Sequence, residues 1–169
     1  MAERILRIFP QRIIAKTVSY NAKMTNPVDI YFEIKDGVNF LRIDVLKQNF
    51  PNSELDWDKN SLNCLVSVKC GRFSGDFNTD LMSTDFKTFK AELETLYENL
   101  DKTATFEGIE NQVTIQVEGD GIGHLTAKCS LMDNAGIGNK LICEMNFDQT
   151  ELPKLNQQLN KIISIYKVF

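Results

Sequence analysis

The feature that most constrains this 169-residue chain is a change of hydrophobic period that happens twice. Apolar and polar residues alternate through successive short runs, and the spacing then switches to steps of three and four. Alternation marks a half-buried strand, and steps of three and four mark one buried face of a helix. A chain that makes this switch twice is expected to fold as strands and helix, then strands and helix again.

The first alternation runs through Val28, Ile30, Phe32 and Ile34, with Asp29, Tyr31 and Glu33 between them. Lys35-Asp36-Gly37 supplies a turn, and Leu41, Ile43 and Val45 alternate again, so residues 28–46 read as a hairpin. Residues 49–60 read as a polar loop holding Pro51 and Trp57. Leu62, Cys64, Val66, Val68 and Cys70 form a third strand, Gly71 marks a turn or bulge, and residues 73–81 form a fourth, with Phe73, Gly75 and Phe77 on one face. Phe86, Phe89, Leu93, Leu96, Tyr97 and Leu100 then define an amphipathic helix, with Ser83 or Thr84 placed to cap it and Lys90–Glu94 at helical spacing.

Four more strand-like runs follow, at about 103–107, 111–118, 122–132 and 139–147, separated by Glu110-Asn111, Gly119-Asp120-Gly121 and Asn134-Ala135-Gly136. A last helix opens at Thr150, tolerates Pro153 in its first turn and buries Leu152, Leu155, Leu159, Ile162, Ile163 and Tyr166. The fold class predicted is α+β: an antiparallel sheet of about eight strands with two amphipathic helices, in the order ββββα-ββββα. Short turns join the strands, and the crossovers that a parallel sheet needs are missing.

Domain organisation follows from charge. Residues 1–26 hold Arg4, Arg7, Arg12, Lys16 and Lys23 against the single acid Glu3. They read as a basic N-terminal arm, a targeting segment, or an over-extended start before Met24. Residues 27–169 read as one domain, holding 14 of the 19 basic and 22 of the 23 acidic residues. An acidic body is poorly suited to nucleic acid, and no apolar run is long enough to span a membrane. The same charge suits a basic protein partner, although a moderate negative charge also serves solubility. The sequence sets no oligomeric state.

Few chemistries survive a search for reactive residues. His124 is the one histidine, which excludes multi-histidine metal sites and leaves little room for Ser-His-Asp or Cys-His pairs. Without a partner at a telling spacing it reads as a surface or edge residue. Cys64, Cys70, Cys129 and Cys143 form no Cys-x-x-Cys pair, so they read as reduced core thiols of a cytoplasmic protein. Gly119-Asp120-Gly121-Ile122-Gly123 is followed by a strand where a phosphate loop would need a helix, and Gly136-Ile137-Gly138 fails in the same way. Both read as hairpin turns needing positive φ. No cofactor and no metal is expected, and no enzyme activity.

The most informative loop feature is Asp56-Trp57-Asp58, the candidate partner-binding residues. Two carboxylates beside an aromatic suit a partner's Arg or Lys, and Trp is enriched at interface hot spots. The structural reading, with Trp57 tucked into the domain edge and both aspartates solvated, is the simpler one, because a Trp is usually mostly buried. Two other readings stay open: an enzyme or small-ligand binder, if Asp120, His124 and Asp56 converge in a pocket, and a structural subunit of a larger assembly.

A longer pattern runs through the second half. It comprises Gly119-Asp120-Gly121 with Gly123-His124-Leu125, Asp133 with Gly136 and Gly138-Asn139-Lys140-Leu141, and Phe147-Asp148-Gln149-Thr150-Glu151-Leu152-Pro153. With Trp57, Phe73-Ser74-Gly75 and the helix from Asp85 upstream, roughly residues 50–165 resemble the WapI-type bacterial immunity proteins. That resemblance implies a non-catalytic protein that neutralises a cognate contact-delivered toxin by binding it. The quoted residues themselves serve turns and a helix start, so the toxin-facing residues are expected elsewhere.

Overall fold

The computed structural model describes residues 29–169. The basic segment 1–26 therefore lies outside the described residues. Eight strands fall in two four-stranded antiparallel sheets, each with its strands in sequence order. The first sheet comprises β1 (Tyr31–Asp36), β2 (Asn39–Gln48), β3 (Ser61–Cys70) and β4 (Phe73–Met82). The second comprises β5 (Thr103–Glu107), β6 (Val113–Gly119), β7 (His124–Met132) and β8 (Lys140–Asp148). Helix α2 (Ser83–Glu98) follows the first sheet and α3 (Leu152–Ile165) the second, while a four-residue helix α1 (Asp56–Lys59) interrupts the β2–β3 connection. The ββββα-ββββα order of an α+β protein is the one seen.

The alternation in the sequence becomes the burial pattern of the strands. Phe32, Ile34, Leu41, Ile43, Leu62, Cys64 and Val66 are buried from the first sheet, and Phe106, Val113, Ile115, Val117, Leu125 and Ala127 from the second. They join Phe86, Phe89, Leu93 and Leu96 of α2 and Leu155, Leu159 and Ile162 of α3 in one contiguous core. Four phenylalanines knit the layers. Phe89 of α2 meets Phe32 of β1 edge-on at 5.5 Å and Phe106 of β5 at 5.6 Å, and Phe86 meets Phe106 at 5.2 Å. Such pairs contribute about 0.5–1.5 kcal/mol each beyond area burial.

The helices also cover two sheet edges. An edge strand exposes unpaired backbone groups that invite aggregation. Here Gln158 Oε1 of α3 accepts the Glu33 N–H of edge strand β1 at 3.0 Å, and Glu92 Oε2 of α2 accepts the Thr105 N–H of edge strand β5 at 2.7 Å.

Several local expectations change. Neither Ser83 nor Thr84 caps α2. Met82 is the cap residue, and its N–H donates to the Asp85 carboxylate at 2.9 Å, while the Ser83 hydroxyl points inward to Asn60. Tyr97 is half exposed and outside the buried stripe. Thr150 does not cap the last helix: two residues earlier the Asp148 carboxylate accepts the Thr150 N–H at 2.9 Å and caps the short 3-10 turn Gln149–Glu151, which leads into α3.

The glycine-rich turns divide into two kinds. Gly121, Gly123 and Gly136 do have positive φ, as hairpin turns require. Gly119 has a different reason: a Cβ there would stand 2.0 Å from the main-chain oxygen of Leu100. The chain after α2 runs against this strand end, with Gly121 N–H donating to Leu100 O at 2.9 Å.

Candidate functional site

Asp56, Trp57 and Asp58 all fall in α1. This helix is too short to be stable by itself and is held by local bonds. The Ser53 hydroxyl donates to Asp58 Oδ2 at 2.8 Å, Lys59 Nζ pairs with Asp56 Oδ1 at 3.1 Å, and Gln48 Nε2 donates to Lys59 O at 2.6 Å. Its C-cap, Asn60, is buried and anchors it below. The Asn60 main-chain oxygen accepts the Ser83 N–H at 2.8 Å, and its Oδ1 accepts the Ser83 hydroxyl at 2.9 Å and the Phe169 N–H at 3.0 Å.

Trp57 does not tuck into the domain edge. It is 67% exposed, and the helix carrying it buries none of its residues. The reason is local. The short helix is anchored by polar contacts made by Asn60 and Gln48, and none of its own side chains is drawn into the core.

The exposed indole borders a surface cleft of about 310 Å³ lined by Phe50, Trp57, Asp58, Ser61, Asp80, Met82, Ile109, Glu110 and Gln112. Phe50 is 55% exposed and Ile109 40% exposed, so three large apolar side chains face solvent around it. Three carboxylates share the lining, and no basic residue does. Asp80 rides on the outer face of β4, where Asn63 Nδ2 donates to it at 3.2 Å. Ile109 and Glu110 come from the 3-10 turn Ile109–Asn111 between β5 and β6.

That turn is held in an unusual shape. Glu110 and Asn111 have φ of 60° and 55°, and they are the two non-glycine residues with positive φ among the described residues. The left-handed region costs a side-chain-bearing residue about 1–3 kcal/mol and persists where the surroundings enforce it. Gln112 does so here. Its Oε1 accepts the Thr79 hydroxyl of β4 at 2.8 Å and its Nε2 reaches Met132 O at 3.4 Å, which ties the turn between the two sheets.

Asp120 and His124 are brought together, but away from Asp56. Asp120 Oδ1 accepts the backbone N–H groups of Ile122 at 2.9 Å and His124 at 3.1 Å. These bonds, that of Ile122 first, hold its carboxyl below the usual range. Its work is to close the β6–β7 turn. His124 is exposed and sits opposite Asp148 in the register. The cleft lies beside Gln112, before β6 begins, and His124 follows its other end, so seven-residue β6 separates them by roughly 20 Å. The three residues do not converge in one pocket.

Among the described residues no group of three or more His, Cys, Asp and Glu side chains is placed to hold a metal ion. No helix among them is long and apolar enough to cross a membrane.

Two antiparallel sheets buttressed by two helices, with an acidic cleft bordered by exposed aromatic and aliphatic side chains, define an α+β protein. The model of the immunity protein WapI-like family matches residues 31–167, and the chain belongs to that family. The match begins at β1, so the first hairpin is part of the family unit, beyond the residues 50–165 that carry the resemblance in sequence. No curated protein matches the chain.

Of the three candidates read from the sequence, Trp57 and Asp58 line this cleft and Asp56 does not, while Phe50, Asp80, Ile109 and Glu110 were not among them. Asp80 gives one signal, as a charged residue on the outer parity of a strand. Ile109 gives another, as an isolated apolar residue between Gly108 and Glu110 in a turn.

Proposed function

We propose that this protein neutralises a cognate bacterial toxin by binding it directly, through the cleft around Trp57, and that it does so without catalysis. The observation that supports this reading is the cleft's composition. Trp57, Phe50 and Ile109 supply apolar contact area, while Asp58, Asp80 and Glu110 supply negative charge with no base among them. An aromatic anchor inside a charged rim is the usual anatomy of a tight interface. The partner surface that fits is basic, with an apolar element able to enter the cleft. Complementary charge of this kind steers encounter and raises the association rate. Cytoplasmic residence, where an incoming toxin would be met, fits the free cysteines.

Two features set this cleft apart from the other recesses of the surface. It holds the exposed tryptophan, and its wall includes the conformationally strained Glu110, a kind of residue that clusters at functional sites.

The test is to look for a polymorphic toxin gene beside the one for this chain and to co-express its toxin domain with this protein. The expected result is a stable complex on co-purification and rescue of growth, both lost on Trp57→Ala combined with Asp80→Lys. A complex that forms unchanged with that double variant would move the interface elsewhere. The absence of any complex and of rescue would sink the toxin reading.

A further inference from the structure

Three of the four cysteines meet where the two sheets adjoin. Cys129 of β7 and Cys143 of β8 are directly opposed partners in the register, and both are buried. Opposed residues on antiparallel strands have Cα atoms about 4.5–5.5 Å apart, inside the range of about 4.4–6.8 Å that a disulfide spans. Cys70 is the last residue of β3, so it arrives from the other sheet. It is partly exposed and packs against the same core, with its thiol in contact with Cys143. Cys64 stands apart from this group, fully buried, with its thiol donating to Leu62 O at 3.6 Å.

We propose that Cys70, Cys129 and Cys143 form a thiol-oxidation site, in which a hydroperoxide oxidises Cys143 and Cys129 then closes a disulfide onto it. The arrangement gives each sulfur a distinct part. Cys143 stands opposite Cys129 in the register and beside Cys70, while the Cys129 thiol itself donates to Ala127 O at 3.9 Å. Cys129 first, then Cys70, pulls the Cys143 thiol down to about 6 against the opposing effect of burial. Of the three sulfurs Cys143 is therefore the one most readily ionised, and the thiolate is the nucleophile. Cys143, and then burial, pushes the Cys129 thiol upward, and burial, then Cys143, pushes the Cys70 thiol upward, so both favour the protonated form.

The chemistry balances with the peroxide as the oxidant. The Cys143 thiolate attacks one peroxide oxygen, the O–O bond breaks, and Cys143 becomes a sulfenic acid while hydroxide or alkoxide leaves and takes a proton. The Cys129 sulfur gives up its proton and attacks the Cys143 sulfur. The S–O bond breaks and its oxygen leaves as water. Two thiols lose two electrons in forming one disulfide, and the peroxide gains them. Cys70 is a positioning residue, holding negative charge on Cys143 from the partly exposed side of the cluster. The product clamps β7 to β8 beside the 133–139 loop and is independent of the toxin reading.

The sequence makes the test direct, because trypsin separates all four cysteines. Cys64 leaves on peptide 60–69, Cys70 on 70–72, Cys129 on 129–140 and Cys143 on 141–154. The intact protein is treated with hydrogen peroxide at neutral pH, its remaining thiols are blocked in denaturant, and the digest is read by mass spectrometry. The expected product is peptide 129–140 linked to 141–154, with Cys64 still reduced. Cys143→Ser abolishes the link, and Cys70→Ala, which removes the donor, shifts the pH midpoint of its formation upward, a change that a merely structural role would not produce. The proposal is overturned if native protein gives no link on Cys143, if Cys143 pairs with Cys70 instead, or if Cys64 oxidises as fast as the cluster.

Discussion

Asn60 and Phe169 hold each other across 109 residues of chain: Asn60 Nδ2 donates to the main-chain oxygen of Phe169 at 3.2 Å, and the Phe169 N–H returns a bond to Asn60 Oδ1 at 3.0 Å. The same Oδ1 takes the buried Ser83 hydroxyl. One side chain thus ties together the end of α1, the start of α2 and the segment after α3. Lys59, next in the chain, places its Nζ 5.0 Å above the Phe169 ring and closes the same corner. Asn60→Ala leaves the Ser83 hydroxyl buried without its acceptor, and an unsatisfied buried group costs about 1–3 kcal/mol. We expect a loss of that size in urea unfolding with an unchanged slope. If α1 forms part of the proposed toxin interface, affinity for the toxin falls as well.

Trp57→Ala separates affinity from stability. The side chain is two-thirds exposed and α1 contributes nothing to the core, so stability is expected to stay within about 0.5 kcal/mol of the parent. If Trp57 anchors the partner, the affinity loss is that of a hot spot, about 2–4 kcal/mol. Calorimetric titration against the toxin and a thermal melt of the free protein read the two quantities. Equal affinity for both proteins would remove Trp57 from the interface.

The contrast between fold and cleft lies in the range over which each is encoded. Phe32, Ile34, Leu41 and Ile43 announce their burial through immediate neighbours, since alternation within one strand is local information. The same is true of Phe86, Phe89 and Leu93 on α2. The division of eight strands between two sheets depends on which edges meet the helices, through bonds such as Gln158 to Glu33, and is not written in any window. Trp57 misleads because its size argues for burial while the short helix that carries it is anchored by polar bonds and buries none of its residues. Asp80 and Glu110 become neighbours only because Thr79 and Gln112 join β4 to the turn before β6, a contact across 33 residues. The Glu110-Asn111 turn was legible as a turn, whereas its left-handed shape follows from Gln112 being held on both sides.

Gly119 and Gly75 provide a matched pair for testing why the glycine-rich motif reads as it does. A Cβ on Gly119 would meet the Leu100 main-chain oxygen at 2.0 Å, and a backbone atom cannot swing aside. A Cβ on Gly75 meets nothing within 4 Å. Gly119→Ala is expected to destabilise by roughly 1–3 kcal/mol or more through forced displacement of the chain after α2. Gly75→Ala is expected to fall within about 0.5 kcal/mol of the parent. Chemical denaturation of both variants checks the pair. If Gly119→Ala proves as mild as Gly75→Ala, the close approach is not what requires glycine there.

Asp148 gives a pH dependence whose sign can be worked out. Its carboxylate caps the turn into α3, and the Thr150 N–H, followed by the Thr150 hydroxyl, lowers its pKa below the usual 3.8. A carboxyl with a lowered folded-state pKa adds stability that is fully present above its unfolded value. That stability is lost as pH falls through the folded value. Asp85 acts with the opposite sign, since burial raises its pKa, so the whole-protein curve mixes the two. The difference between the parent and Asp148→Asn isolates the cap. It is expected to favour the parent at neutral pH and to shrink as pH drops below 3.8, where the parent's carboxyl takes up its proton. Paired urea titrations from pH 7 down to pH 3 measure it, and a difference that stays constant across that window would mean that the charge on Asp148 plays no part in starting α3.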